Sequence, residues 1–157
     1  MIHFVIGIAV SKDNIVLIRK NRPEWQAGRI NFPGGKIEIN EKPEDCIVRE
    51  FKEETGVETI VSDWTLLGTI GRNGGIAKYQ FLAYIYYAES EKFNFAKTVE
   101  SEEIMVIPRS QFLTDRELIK DYLPNLLWFY HFSQSQDRLD YGTEFAVSYG
   151  EHEDESS

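Results

Sequence analysis

Three glutamates in the first half of the chain stand at spacings that could assemble a metal site. Glu50, Glu53 and Glu54 are three and four residues apart, so a helix would place their carboxylates on one face. Like charges at these spacings destabilise an isolated helix by roughly a few tenths of a kcal/mol per pair. A divalent cation relieves that repulsion, because carboxylate oxygens are ligands that suit Mg²⁺ or Mn²⁺. The alternative is a solvated acidic face, and the three glutamates alone do not decide between the two.

The flanking residues predict the helix that this geometry needs. Pro43 suits a first helical turn, and the two acidic residues after it favour the positive end of the helix dipole. Gly56 directly follows Thr55, in the place of a left-handed C-terminal cap. An apolar stripe at helical spacing is formed by Ile47, Val48 and Phe51. We therefore expect an α-helix over residues 43–55.

The glutamates belong to a longer pattern, GGKIEINEKPEDCIVREFKEETGV, which begins at Gly34 and ends at Val57. Its glycine and charged positions are Gly35, Glu41, Arg49, Glu50, Glu53, Glu54 and Gly56. This arrangement reproduces the Nudix box, and the chain resembles the Nudix hydrolases, close to their MutT-like members. Two departures are mild. Phe51 occupies a place that is more often aliphatic, and Lys42 replaces the small hydroxyl residue that is common before Pro43.

The order of predicted elements supports an α+β domain, in which strands flank one helix that follows a glycine loop and a second helix ends the core. Residues 2–10 and 14–20 predict a hairpin. Further strands are predicted at 59–70, 76–89 and Ile104–Ile107, and a buried helix at Pro124–Phe132. The resemblance sharpens this to the Nudix fold, an α/β/α sandwich with a mixed β-sheet and a catalytic loop-helix-loop.

We place the Nudix hydrolase domain at residues 1–136. Residues 137–150 form a C-terminal extension with a predicted edge strand at 143–149. This extension could cover the site, form a homodimer, or do neither. The acidic tail, residues 151–157, has the composition of a disordered segment.

The resemblance also implies a set of metal ligands and catalytic groups around a bound Mg²⁺ or Mn²⁺. The implied metal ligands are Glu50, Glu53, Glu54 and the carbonyl of Gly34. The implied catalytic residues are Arg49, Glu50 and Glu53. Glu50 either orients the attacking water as general base or shares the metal. Which glutamate is the base varies within the family, and the choice stays open here.

Other residues are expected to support this centre. Arg49 carries a fork of donors that can hold the carboxylates and the loop through hydrogen bonds. The structural positions of the motif are Gly35, Glu41 and Gly56. Glu41 is expected to fix the loop onto the helix. Glu102 and Glu103 are candidates for an additional ligand or base, and they end a polar stretch, residues 90–103, that we expect to be mobile.

Basic and aromatic residues before the motif are candidate substrate contacts. Arg19 and Arg22 lie in the most basic stretch of the chain, and cations there suit a substrate that carries phosphate. Trp25 and Phe32 could stack on a nucleobase. The simpler alternatives are that the arginines solvate loop and strand edges and that the aromatic rings pack.

Composition limits the class of protein. The 157 residues fit one domain, and 42% hydrophobic with 27% charged residues is typical of globular proteins. A formal net charge of −9 argues against a nucleic-acid polymer as partner, because phosphate backbones require a basic surface. The single cysteine, Cys46, precludes an intrachain disulfide and favours a cytoplasmic setting. Residues 1–10 are apolar but lack a basic n-region, so they predict a strand and neither a signal peptide nor a membrane span.

The resemblance implies hydrolysis of a small nucleotide, a nucleoside diphosphate linked to another group, by attack of water on phosphorus. Marks of particular substrates are missing, since the proline typical of ADP-ribose hydrolases would fall near Asn73 and the arginine of the coenzyme A pattern is Glu24 here. By elimination we favour a nucleoside triphosphate or modified nucleotide such as 8-oxo-dGTP, cleaved to monophosphate and pyrophosphate. ADP-ribose or another nucleotide sugar is the alternative. A non-catalytic nucleotide-sensing domain is a further alternative, although such domains usually have a degraded box.

Overall fold

The structure, a computed structural model, describes residues 2–72 and 81–135 together with the strand Ala146–Tyr149. The strands in these ranges are β1 (Ile2–Val10), β2 (Asn14–Arg19), β3 (Ile30–Asn31), β4 (Gly34–Lys36), β5 (Thr65–Arg72), β6 (Phe81–Glu89), β7 (Glu103–Pro108) and β8 (Ala146–Tyr149). The helices are α1 (Pro43–Thr55), α2 (Arg109–Thr114), α3 (Arg116–Ile119) and α4 (Leu126–Gln134). Short 3-10 helices lie at Glu24–Gln26, Val61–Asp63 and Glu91–Phe95.

These strands form one mixed sheet in the order β3-β2-β1-β6-β5-β8, with β4 paired to β1 and β7 paired to β2. The central pair, β1 and β6, is parallel, whereas β1 with β2 and β5 with β6 are antiparallel. The N-terminal half of β1 also pairs with β4, so that Val5 lies opposite Gly35 and Ile6 lies opposite Gly34. The glycine loop is therefore held at the centre of the sheet.

Alternate side chains of β1 enter two separate cores, one on each face of the sheet. Val5 and Ala9 belong to the core that also contains Ile47 and Phe51 of α1. Ile8 and Val10, together with side chains of α2 and α4, belong to the core on the opposite face. Because helices cover both faces, the predicted α/β/α sandwich with a mixed sheet is confirmed.

Helix α1 begins and ends where the sequence predicts. Pro43 occupies the first turn, and Lys42 caps it through its backbone carbonyl with no side-chain hydrogen bond. Gly56 ends the helix with φ 77°, a left-handed conformation that favours glycine. Phe51, the departure from the usual aliphatic residue, packs edge-on against Trp64 and Phe93 at ring-centroid distances of 5.2 and 5.3 Å. The larger ring is therefore accommodated by an aromatic cluster.

Three predictions of secondary structure need correction. The strand expected at 59–70 begins only at Thr65, because a 3-10 turn precedes it, in which the Ile60 amide donates to the Asp63 carboxylate at 2.9 Å. The stretch 90–103 contains a 3-10 helix whose Phe93 is fully buried, so part of it is ordered by the core. Helix α4 begins at Leu126, two residues after the proline that was expected to start it.

Several predictions fall outside the described residues. These are the first part of the strand at 76–89, most of the extension 137–150, and the tail 151–157. Strand β8 lies within the segment predicted as an edge strand and pairs in parallel with β5 at one edge of the sheet. None of the helices in the described ranges has the length and apolar character needed to span a membrane.

Candidate active site

Two glycines of β4 allow α1 to approach the sheet closely. A Cβ atom on Gly35 would lie 2.2 Å from the carboxyl carbon of Glu50. A Cβ atom on Gly34 would lie 2.0 Å from the backbone oxygen of Val5 in β1. Both distances are shorter than any van der Waals contact. The absence of a side chain at Gly35 therefore makes room for the Glu50 carboxylate, and its absence at Gly34 lets β4 lie close to β1.

One guanidinium gathers the acidic side chains of the motif. Arg49 donates from Nε and Nη2 to both carboxylate oxygens of Glu41, at 2.8 and 2.9 Å. Its Nη1 donates to Glu50 at 2.8 Å and to Glu53 at 3.2 Å. Its Nη2 also donates to the Lys36 carbonyl at 3.1 Å. Arg49 thus holds three carboxylates and the preceding loop in one arrangement, which is the supporting role that the sequence predicts.

Glu54 is the buried carboxylate of the site, since the residue is only 5% exposed. Its Oε1 accepts a hydrogen bond from the Gly34 amide at 2.8 Å, which joins α1 directly to β4. Burial raises the pKa of Glu54 to about 8, although the Gly34 amide and the positive charge of Lys20 act in the opposite direction. A carboxylate in this environment gains from a cation placed beside it.

The neighbouring acids titrate differently because their environments differ. Burial raises the pKa of Glu50, and the charges of Glu53 and Glu100 add to that effect, while Arg49 opposes it. In contrast, the paired hydrogen bonds from Arg49 lower the pKa of Glu41 to about 2. Glu41 is therefore a fixed anion that anchors Arg49, whereas Glu50 is suited to exchange a proton.

The donor set fits a hard divalent cation in its chemistry. Glu50, Glu53 and Glu54 carry carboxylate oxygens, and the Gly34 amide donates to the last of them. In the part of the chain that the structure describes, no three acidic, histidine or cysteine side chains are already arranged to hold a metal ion. Arg49 donates to both Glu50 and Glu53 in this arrangement.

Comparison with known proteins decides the family. The model of the NUDIX domain family matches residues 1–129 of this chain. The chain belongs to the Nudix family. The resemblance to the Nudix family found in the sequence is thereby confirmed.

Relatives of this Nudix domain differ in the substrates that their names give. An 8-oxo-dGTP diphosphatase from Proteus vulgaris is 39% identical over 74 residues, which are 46% of this chain and 63% of that protein, less than two thirds of its length. An ADP-ribose pyrophosphatase from Methanocaldococcus jannaschii is 30% identical over 119 residues, which are 73% of this chain and 69% of that protein. The solved structure of the MutT protein from Bacillus halodurans has a TM-score of 0.66 at 19% identity, covering 98% of this chain and 92% of that chain, and it supports the fold.

The candidate substrate contacts are not all on the Nudix-motif side of the sheet. Arg19 donates to Asp121 at 3.1 Å and to the Gly28 carbonyl at 2.8 Å, on the face opposite α1. Phe32 is 2% exposed in the core of that same face, so its ring does not stack on a ligand. The burial of Phe32 thus argues against stacking on a base, whereas a substrate contact from Arg19 stays a prediction. Arg22 and Trp25 are exposed in the loop before β3, and Trp25 is 70% exposed.

Strand alternation places the two candidate acidic residues Glu102 and Glu103 on opposite faces of the sheet. Glu102 is buried and lies on the same face as α1, whereas Glu103 is exposed and pairs in register with Arg19. Glu102 bonds to Lys20, a residue that motif reasoning did not single out for the site. Strand alternation could have indicated the position of Lys20, because Lys20 lies two residues after Ile18, whose side chain packs beneath α1.

Proposed function

We propose that this Nudix domain is a metal-dependent pyrophosphohydrolase that cleaves a nucleoside diphosphate linked to another group. The observation that carries the proposal is the buried Glu54, which bonds to the Gly34 amide beside two further carboxylates held by one arginine. A solvated acidic face would have neither the burial nor these fixed partners. The metal-site interpretation is therefore favoured over the solvated one.

Glu50, Glu53, Glu54 and the Gly34 carbonyl would hold the cation, Mg²⁺ or Mn²⁺. When bound, such a cation supplies neutralisation of phosphate charge and activation of water. The chain contributes a rigid platform, because the carboxylates project from one helix that is tied to β4. Positioning and charge stabilisation are the main requirements of phosphoryl transfer.

Glu50 is the residue we assign to proton transfer from the attacking water. Its pKa is raised by burial, and its carboxylate is oriented by Arg49 at 2.8 Å. Glu53 is more exposed and shares the same guanidinium, so its carboxylate is accessible to a cation. Arg49 positions both groups and also ties them to Glu41, so it acts on the reaction through its neighbours.

For the substrate we favour a nucleoside triphosphate or modified nucleotide, cleaved to the monophosphate and pyrophosphate. The 8-oxo-dGTP diphosphatase relative has the higher identity of the two described above. ADP-ribose is the second candidate, because the ADP-ribose pyrophosphatase relative aligns over a longer part of the chain. The exposed Trp25 and Arg22 are the proposed contacts to base and phosphate. We further propose a cytoplasmic location.

A hydrolysis panel with Mg²⁺ tests the proposal. It contains canonical and oxidised nucleoside triphosphates, ADP-ribose, other nucleotide sugars and dinucleoside polyphosphates, with product release followed by chromatography. Glu54→Gln is the blank, and Glu58→Gln, at an exposed glutamate just after α1, is the matched control. We expect turnover in the unaltered chain and in the control but not in the blank. Binding of one nucleotide without turnover would replace the enzyme with a nucleotide sensor.

A further inference from the structure

Strand β7 lies at an edge of the sheet, because among the described residues it pairs only with β2. Its sequence is EIMVIP, and residues 104–107 between its two ends are all apolar. An edge strand presents a row of amides and carbonyls that can pair with a strand of another chain. A fold that keeps an apolar strand at its edge therefore needs a feature that opposes such pairing.

The hydrogen bonds of β7 show which of its amides point outward. In an antiparallel ladder, residues that bond to the neighbouring strand alternate with residues that point away from it. Ile104 points away from β2, because its amide donates to the hydroxyl oxygen of Thr98 at 2.9 Å. By the same alternation Val106 and Pro108 point away, and proline has no amide hydrogen. In the part of the chain that the structure describes, Val106 alone keeps an uncovered amide at this edge.

These outward positions are the ones that a second copy of the strand would use. Two antiparallel β7 strands are related by a two-fold axis, and an axis at Val106 sets Ile104 of one copy opposite Pro108 of the other. Residues that face each other at such positions exchange two N–H···O bonds. Here Thr98 already occupies the Ile104 amide and Pro108 has no donor, so both bonds of this pair are lost. The symmetric pair is lost in the same way, and only Val106 with its own copy remains.

We propose that the Thr98 hydroxyl and Pro108 together close the outer edge of β7 against pairing with a second copy of this chain. Each residue removes one of the two donors in both flanking pairs, so the two act on the same hydrogen bonds. Both residues are exposed, which argues against a role in packing the core. Neither belongs to the carboxylate motif, so the inference does not depend on the proposed hydrolysis.

Light scattering of the full chain after size-exclusion chromatography tests the closure. Thr98→Ala combined with Pro108→Ala restores both donors. We expect the average molar mass of this double variant to rise with concentration toward twice that of the unaltered chain, and each single variant to show a smaller rise. Thr114→Ala combined with Pro124→Ala is the matched control, because both residues are exposed and lie outside the strands. The control should keep the molar mass of the unaltered chain.

A third substitution shows whether the association uses this edge. Val106→Pro removes the remaining outward amide, and proline is tolerated at edge positions whose amide faces solvent. Added to the double variant, it should return the molar mass to that of the unaltered chain. If the proline variant does not fold, Val106→Lys replaces it, since like charges directly opposite each other destabilise a strand pair. Association that persists with either substitution would overturn the inference, because it would use another surface.

Hydrogen exchange tests the cap itself in a single variant. In Thr98→Ala the Ile104 amide should exchange about tenfold faster, because one intramolecular hydrogen bond contributes roughly that factor. The Gly56 amide, which donates to the Lys52 carbonyl, should be unchanged. Equal exchange at Ile104 in both chains, or a folded double variant with the molar mass of the unaltered chain, would overturn the inference. If the double variant does not fold, Thr98→Ala alone replaces it, and the absence of any rise in its molar mass is then the overturning result.

Discussion

The carboxylate motif and the Lys20–Glu102 pair lie on the same face of the sheet but are assembled in different ways. The motif is one continuous segment in which helical spacing sets Arg49, Glu50 and Glu53 on one face. The pair joins residues that are 82 positions apart, and only the pairing of β2 with β7 brings them together. The motif should therefore control the chemical step, whereas the long-range contacts and the loop beside them should control binding.

The largest expected effect is at the buried end of the motif. Glu54→Gln keeps an oxygen that can accept from the Gly34 amide but removes the charge that would face the cation. We expect kcat to fall by at least about 10³-fold with an unchanged circular dichroism spectrum, since metal-ion catalysis supplies several kcal/mol and each 1.36 kcal/mol is about tenfold. Steady-state kinetics at saturating Mg²⁺ measures this. Activity near that of the unaltered chain would place the chemistry outside the motif.

Arg49→Lys tests whether one guanidinium organises the motif. Lysine keeps the charge but cannot make the paired bonds to Glu41 while also bonding to Glu50 and Glu53. We expect kcat to fall about 100-fold with a smaller change in KM. Lys52→Met, on an exposed face of the same helix, is the control and should have little effect. An equal loss in both variants would point to general weakening of α1.

The two glycines of β4 separate stability from activity. Gly34→Ala places a methyl group on the backbone of β1, so strand pairing must open and we expect the free energy of unfolding to fall by about 3 kcal/mol. Gly35→Ala meets only the end of the Glu50 side chain, which can rotate. We expect it to lower kcat about tenfold with a much smaller loss of stability. Urea denaturation and kinetics on both variants check the contrast, and the reverse pattern would contradict it.

Substitution of Trp25 tests whether the loop before β3 controls substrate binding. Its ring is exposed in the loop before β3, and stacking on a base contributes about 1–3 kcal/mol. Trp25→Ala should raise KM about tenfold and leave kcat nearly unchanged, and Trp25→Phe should recover part of the loss. A fall in kcat with constant KM would show that this loop acts on the chemical step instead.

Acid titration tests the anchor of Arg49. The folded-state pKa of Glu41 is lowered to about 2 from an ordinary value of 4.5. Its contribution to stability is therefore complete above the ordinary pKa and is lost as pH falls toward about 2. Glu41→Gln should reduce the free energy of unfolding above about pH 5, and the difference from the unaltered chain should shrink as the pH falls. A difference independent of pH would assign the loss to packing.

The boundaries of α1 and the shared face of its glutamates were predictable, because both depend on residues close together in sequence. Helical periodicity, Pro43 at the start and Gly56 at the end fixed the boundaries, and glutamate spacing fixed the shared face. Phe93 and the 3-10 helix around it were missed, because a single aromatic in a polar stretch carries no periodic signal. Its ring is buried because it packs against Phe51 and Trp64, and only the tertiary structure brings these three rings together.

Sequence by itself determined the α+β class, from the order of elements, and the resemblance to the Nudix family, from the spacing within one segment. That resemblance in turn implied the sandwich and the proposed carboxylates of the site. Tertiary structure decided on which face of the sheet each basic and acidic side chain outside that segment lies. Arg19 and Lys20 are neighbours in sequence, yet they lie on opposite faces of the sheet, Arg19 beside Asp121 and Lys20 beside Glu102. Strand pairing and side-chain alternation set those partners. The amino-acid composition of this basic stretch does not indicate which residue lies on which face.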